Sequence, residues 1–316
     1  MRRSVLPVLW VVLAILVVWY VAAIPMNVRE VLTQAERGGA QVWGGTAAER
    51  QERSALALVA RNPGVAMAGW SQERPRLPVP HQVAVELWQS TVGEEVFGRR
   101  GFVQTGEFSN RSLITHAGIT LGATVVGFLI GTAAGVLLAI GIVHNRAMDM
   151  SVMPWAVISQ TVPIVALAPM IVVVLNSVGV QGLLPKAVIS AYLSFFPVVV
   201  GMVKGLRAPD RMQLDQMHTW NAGTGDTLRK LRLPASVPYL FASLKVAIAA
   251  ALVGTIVGEL PVQRGGLGAR MLAGSYYGQT VQIWAALLMA AVLAAGLVGL
   301  VGWLERRTLR AMGGAA

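Results

Sequence analysis

LITHAGITLGATVVGFLIGTAAGVLLAIGIV, residues 113–143, runs without one Asp, Glu, Lys or Arg. At 1.5 Å per residue a helix over this stretch is about 46 Å long, enough to cross the ~30 Å hydrocarbon core of a bilayer. Gly118, Gly122, Gly127, Gly131 and Gly135 recur along it. Spacings of four set small residues on adjacent helix faces, where another helix backbone can approach closely. A membrane helix packed against protein is the expectation.

Outward from this run the pattern repeats. Further spans are expected over Met153–Leu175, Pro185–Val203, Pro238–Gly258 and Val281–Trp303. On the amino side, Val5–Ile24 follows Met1-Arg2-Arg3. Its ~20 residues exceed the roughly 7–15 of a signal-peptide core, so it reads as a retained anchor, with Trp19 and Tyr20 near the outer interface. The chain has 55% hydrophobic and 13% charged residues and a mean hydropathy of +0.60. A soluble domain carries about 25% charged residues. The expected fold is all-α, an integral membrane protein of about six transmembrane helices. Its parts are an anchor over 1–24, an outer segment over 25–112, a five-helix core over 113–304 and a tail over 305–316.

The formal charge of +11 is distributed by topology. Residues 25–112 hold ten arginines against nine acids, and the remainder holds sixteen bases against six. Those bases gather in three stretches: Arg146; Lys204 to Arg232; and Arg306, Arg307 and Arg310. The short loops on the other side hold Lys186, Arg264 and Arg270. The asymmetry sets both termini and the 204–236 loop in the cytoplasm of a bacterial inner-membrane protein. The long outer segment is exempt, because long loops translocate largely regardless of charge. A nucleic-acid partner would need clustered bases on a solvated face, and none is expected. Residues 25–74 include amphipathic pieces at Val28–Leu32 and Ala47–Ala60. The Pro-rich run Arg74–Pro80 breaks helix and favours extended backbone.

Chemistry inside the membrane is sparse. There is no cysteine, and His81, His116, His144 and His218 lack metal-ligand spacing. No Gly-Lys pair occurs, so the phosphate-binding loop of nucleotide hydrolases is absent and no cofactor is expected. Lys245 lies close enough to the inner interface to extend its ammonium there, and Glu259 closes the fifth span on the outer side. A proton-driven secondary transporter, the alternative reading, would use a chain of buried acids or histidines. A membrane-embedded enzyme would need a catalytic constellation. Pro154, Pro163 and Pro169 interrupt the third span around Gln160 and Thr161, as in helices that line a pathway.

The loop from Gly205 to Pro238 carries the most specific signal. It predicts a helix from Gln213, a turn at Asn221–Gly225, then a second helix with a basic face ended by Pro234. Asn tolerates the left-handed conformation and Gly adopts it freely. A helix-turn-helix projecting between two spans suits the docking of a partner.

This loop resembles the cytoplasmic coupling loop of binding-protein-dependent ABC transporter permeases of the type I importer fold. The family pattern is Glu-Ala-Ala, three residues, Gly, then about a dozen residues to Leu-Pro. Here Asp215 stands at the Glu, Gln216 and Met217 replace the alanines, Asn221 stands at the Gly, and Leu233-Pro234 closes the pattern. Further resemblances are Pro78-Val79-Pro80 with His116–Gly127, Thr161–Pro169, Ser194-Phe195-Phe196-Pro197, and Gly258-Glu259 with Gly265-Gly266-Leu267-Gly268. The chain is most similar to the nitrate, sulfonate, taurine and thiamine-precursor subgroup.

The resemblance implies a transport subunit rather than an enzyme. Two such chains would pair, and two ATPase subunits would dock through Asp215, His218, Thr219, Trp220, Asn221, Ala222, Gly223, Thr224, Gly225 and Asp226. An extracytoplasmic binding protein would deliver a small polar solute, an oxyanion or a pyrimidine. Gln160, Thr161, Pro163, Asn176, Ser194 and Glu259 are the expected lining of the path.

Overall fold

In a computed structural model of the chain, residues 2–93, 112–262 and 265–313 are described. The end of the expected outer segment, 94–111, and Arg264 among the outer-loop cations lie outside them. The described residues form helices α1 (Arg2–Arg37), α2 (Ala47–Glu52), α3 (Ala55–Arg61), α4 (Pro63–Ala66), α5 (Pro80–Thr91), α6 (Leu113–His144), α7 (Arg146–Ser159), α8 (Ile164–Ser177) and α9 (Leu183–Leu206). They continue as α10 (Arg211–Thr219), α11 (Thr224–Thr227), α12 (Leu233–Val262), α13 (Leu267–Tyr276) and α14 (Thr280–Ala311). Five stretches are long and apolar enough to span a membrane, and six if the bent pair α7–α8 counts as one. The expected all-α membrane fold is therefore the observed one. The chain divides into two compact units: 1–113 with 270–288, and 114–269 with 289–316.

In the first unit α1 does not stop at Ile24. It runs on to Arg37 as one helix, through Pro25. Pro25 lacks the N–H that would bond to the Val21 carbonyl. The turns beyond it are held by burial instead: Val28 and Leu32 pack with Leu58 and Ala66 into a small core. Asn27 is fully buried, and its amide donates to the Gly69 and Leu77 carbonyls and accepts the Leu77 N–H at 3.0 Å. Arg50 is also fully buried and pairs with Glu36. Trp19 donates to the Pro78 carbonyl at 2.9 Å, and Trp70 to the Tyr20 carbonyl at 3.2 Å. These bonds tie the proline-rich run, with Val79 extended at its end, to α1. Pro80 then occupies the first turn of α5, where a missing N–H costs no helical bond.

In the second unit α6 packs on α9 through glycines. A Cβ on Gly127 would lie 2.4 Å from the Ser190 Cβ, one on Gly131 would lie 2.2 Å from the Ser194 Oγ, and one on Gly135 would lie 2.9 Å from Val198. Gly118 has open space, and Gly122 meets only Leu183 at 3.7 Å, so three of the five glycines carry the expected close approach. Helices α9 and α12 pair extensively, again with small residues: Gly201 against Ser243, Gly205 against Ser236, and Gly254 against Ser190. Lipid gives little hydrophobic drive between helices, so this contact is held by close packing and hydrogen bonds. Ile142, Val198, Val199, Met202 and Leu206 form the largest apolar cluster.

Two expectations about helix ends are corrected. The third span is not one helix, because α7 and α8 meet at 101°. Val162 precedes a proline and is driven out of the helical region, while Pro163 itself is extended with ψ 115°. Conversely, Pro234 does not end the second helix of the loop. Leu228–Arg232 widens into a π turn between α11 and α12, and one helical path runs from Thr224 to Val262. The wider turn relieves the crowding of the Pro234 ring against the preceding carbonyls.

Candidate functional site

Two polar regions stand out in the second unit, one at each end of the α11–α12 path. The first is the predicted docking loop. Asp210 caps α10 through a capping box: its carboxylate accepts the Gln213 N–H at 2.7 Å, and the Gln213 side chain accepts the Asp210 N–H at 3.1 Å. At the other end Asn221 has φ 52°, the sole positive value at a non-glycine among the described residues. The Ala222 N–H reaches back to the Met217 carbonyl at 3.0 Å and the Asn221 N–H to the His218 carbonyl at 2.9 Å, closing the helix. Gly223 then caps α11, so the turn spans Trp220–Gly223 and is shorter than the predicted Asn221–Gly225.

Of the predicted docking residues, Asp215, His218, Thr219, Trp220, Asn221, Gly223, Thr224, Gly225 and Asp226 are exposed and Ala222 is half-buried. They share one projection. Met217 is its buried anchor. Arg232 donates to the Leu206 carbonyl at 3.0 Å, and Arg207 pairs with Asp149 at 2.8 Å, fastening the loop to α9 and α7. A cavity of about 290 Å³ opens beside α10, lined by His144, Leu214, His218, Thr227 and Arg232 among others.

The second region was only partly foreseen. Glu259, expected to close the fifth span and to line the path, is fully buried. Its Oε1 accepts the Thr120 hydroxyl at 2.8 Å and its Oε2 the Gly268 N–H at 2.8 Å. Thr120 Oγ1 accepts the Leu267 N–H at 2.9 Å, and His116 Nδ1 accepts the Gly266 N–H at 3.0 Å. Three successive amides at the start of α13 are thus satisfied by three side chains. A carboxylate there also meets the favourable end of the helix dipole. Gly265 (φ 81°) and Gly266 (φ 111°) supply the left-handed turn, and a Cβ on Gly266 would collide with the Glu259 carboxylate.

Lys186, expected in an outer loop, is instead 2% exposed in α9 and donates to the Gly265 carbonyl at 2.8 Å. Below these groups Thr124 donates to Thr255 at 3.0 Å. At the other end of α12, Lys245 does not simply reach for the interface: it pairs with Glu305 of α14.

The expected path residues occupy separate places. Gln160, Thr161 and Pro163 gather at the α7–α8 bend, where Tyr192 donates to the Ser159 carbonyl and the Gln160 Nε2 is buried without a partner. Asn176 is exposed at the far end of α8, about 18 Å along the helix from Ile164 at 1.5 Å per residue. Ser194 is fully buried between α9 and α6, facing Gly131. His116, Thr120 and Lys186 were missed as site residues. The one sign of them in the sequence was polar side chains within otherwise apolar runs.

Among the described residues no cluster of His, Cys, Asp and Glu has the arrangement of a metal site.

The family model described as "Binding-protein-dependent transport system inner membrane component" matches residues 127–310. A probable ABC transporter permease protein of Haemophilus influenzae is 30% identical over 231 residues, covering 71% of this chain and 93% of its own length. The riboflavin transport system permease protein RibX of Chloroflexus aurantiacus is 28% identical, with 81% and 87% covered. The putative aliphatic sulfonates transport permease protein SsuC of Bacillus subtilis is 23% identical, with 74% and 77% covered.

Proposed function

We propose that this chain, which belongs to the family of binding-protein-dependent transport system inner membrane components, forms the solute path of an importer powered by a separate ATPase. It is a multi-pass ABC permease, a transport component and not an enzyme. The finer reading assigns the projection from Asp215 to Asp226 as the ATPase contact. One observation carries it: a short helix, capped at both ends and held by a single buried side chain, presents an exposed Trp220 (66%) and a row of polar groups. Such a rigid projection transmits a partner's movement, whereas a solvated loop would absorb it.

In this reading two ATPase subunits grip the loops of two copies of the chain. ATP binding closes the ATPases and biases the permeases between inward- and outward-open states, which requires differential affinity for the two. Both termini lie in the cytoplasm, the 25–112 segment faces outward, and a binding protein delivers solute there. The α7–α8 bend, with Gln160, Thr161 and Pro163, lines the path together with the exposed Asn176, whereas Ser194 and Glu259 are fully buried and hold the surrounding helices together. The names of RibX and SsuC support a small polar solute, either a heterocycle or a sulfonate-like oxyanion.

Affinity purification of the tagged chain from its host membrane tests the reading. A stoichiometric ATPase should accompany the full chain and be lost when Asn221–Gly225 is deleted, with membrane insertion unchanged. Solute uptake by a preparation that carries no ATPase would overturn it.

A further inference from the structure

In the first unit, a groove of about 400 Å³ opens between residues 71–74, one face of α5 and the first turn of α14. Its volume lies in the range of small-molecule sites, roughly 300–1,000 Å³. Five side-chain amides line it: Gln72, Gln82, Gln89, Gln279 and Gln282. Gln82 is already engaged, its Oε1 accepting the Val79 N–H at 3.2 Å and its Nε2 donating to the Gln72 carbonyl at 2.9 Å, and the other four each offer a carbonyl acceptor and an NH₂ donor. Gln72 is buried, and the Oε1 atoms of Gln72 and Gln282 are closed off from water without a hydrogen-bond partner. The last torsion of a Gln side chain is broad, so each amide can turn its oxygen toward an occupant.

The charges narrow the class of occupant. Glu73 and Glu86 face the groove against one guanidinium, Arg74. Burial raises the Glu86 carboxyl above the usual carboxylate range, with the nearby Arg270 charge opposing. An ionised carboxylate accepts only, so the carboxyl and amide oxygens together give this lining more acceptors than an oxyanion could use. His81, on the same lining, is stacked on Tyr20 at 15° between ring planes and bonded to its hydroxyl at 3.0 Å, which supplies a flat aromatic element.

We propose that this groove binds a small, flat, uncharged heterocycle bearing N–H donors, of the aminopyrimidine type, at a site separate from the membrane path. Ring and exocyclic N–H groups would pair with the free amide oxygens and with the carboxylates, while the amide NH₂ groups would take the ring nitrogens and carbonyl. This rests on the reading of an importer for a small polar solute and selects its heterocyclic branch. The groove shares no residue with the lining proposed for the membrane path, so in this reading it holds solute that has not yet reached that path.

Titration of the purified permease–ATPase complex in lipid nanodiscs tests this, with cytosine and methanesulfonate as probes and calorimetry as readout. Cytosine should bind saturably, and methanesulfonate should neither bind at the groove nor compete. Glu86→Ala should weaken cytosine binding about tenfold or more, equivalent to ~1.4 kcal/mol. Gln89→Trp, at an exposed position where the fold is indifferent, should block the groove by volume and abolish the signal. An absence of saturable cytosine binding would overturn the proposal, as would an affinity unchanged in both variants, or competition by methanesulfonate that Gln89→Trp removes. The same preparation reports ATPase association, so a silent groove beside a bound ATPase rejects this inference and leaves the transport reading standing.

Discussion

Gly268 donates its backbone N–H to the Glu259 carboxyl group at 2.8 Å, so that the last turns of α12 and the first turn of α13 are joined by a fully buried acid side chain. Glu259→Leu would leave the Gly268 N–H without its acceptor and the Thr120 hydroxyl with only the His116 carbonyl, 3.2 Å away. A buried polar group left unpaired costs about 1–3 kcal/mol. The melting temperature of the detergent-solubilised chain should fall, and Glu259→Gln, which keeps an acceptor oxygen, should fall less. Equal melting of wild type and Glu259→Leu would mean that the turn is held by other contacts.

Asn221 tests the docking turn. Asn221→Gly should retain the ATPase fully, because glycine adopts φ 52° without strain. Asn221→Val forces a β-branched side chain into that region at roughly 1–2 kcal/mol. Co-purified ATPase should drop severalfold for Val and not for Gly. If the two variants behave alike, the left-handed residue plays no part in docking.

Gly131 tests the packing of α6 on α9. A methyl group there meets the Ser194 Oγ at 2.2 Å and the Ala191 carbonyl at 2.8 Å. Overpacking of this kind costs about 1–3 kcal/mol. Gly131→Ala should therefore lower thermal stability, and Gly118→Ala, which meets open space, should not. Measuring both in one detergent separates packing from helix propensity, which alone favours alanine.

Lys245 and Glu305 should be coupled. Lys245→Met leaves Glu305 (19% exposed) unpaired, and Glu305→Gln leaves Lys245 (35% exposed) unpaired. Each single change should destabilise more than half of what the double change does. A double-mutant cycle should return a coupling of about 0.5–3 kcal/mol. Strict additivity would show the pair to be a surface contact of little worth.

Orientation can be read with a cysteine, since the chain has none of its own. Gly64 suits the purpose because a Cβ there meets nothing within 4 Å, whereas one at Gly45 would collide with Glu49. Gly64→Cys in intact spheroplasts should react with a membrane-impermeant maleimide. Reaction only after lysis would invert the topology.

The spans were legible because they depend on long apolar runs, and the turn of the 205–238 loop because the left-handed conformation of Asn221 is a local property. The α7–α8 bend was half legible: Pro163 announced an interruption, but its 101° angle depends on the tertiary surroundings of the pair. The π turn was invisible, since a proline ordinarily reads as a stop. The role of Glu259 was illegible for a different reason. Its partner Thr120 lies 139 residues away, and nothing local to either residue marks the pair. Lys186 misled because a cation at the head of a span resembles a loop residue until a distant carbonyl accepts it.

The helical path from Thr224 to Val262 has the Trp220–Gly223 turn, proposed for docking, at one end and Glu259 near the other. At 1.5 Å per residue these ends are about 50 Å apart. A continuous helix of that length is a strut: axial displacement or roll imposed at one end arrives at the other without passing through loops. The π turn at Leu228–Arg232 is the one place where the strut departs from regular winding, close to where force would enter. A change of winding there is converted into rotation of the whole shaft, and so into movement of the buried carboxylate against the turn that it holds.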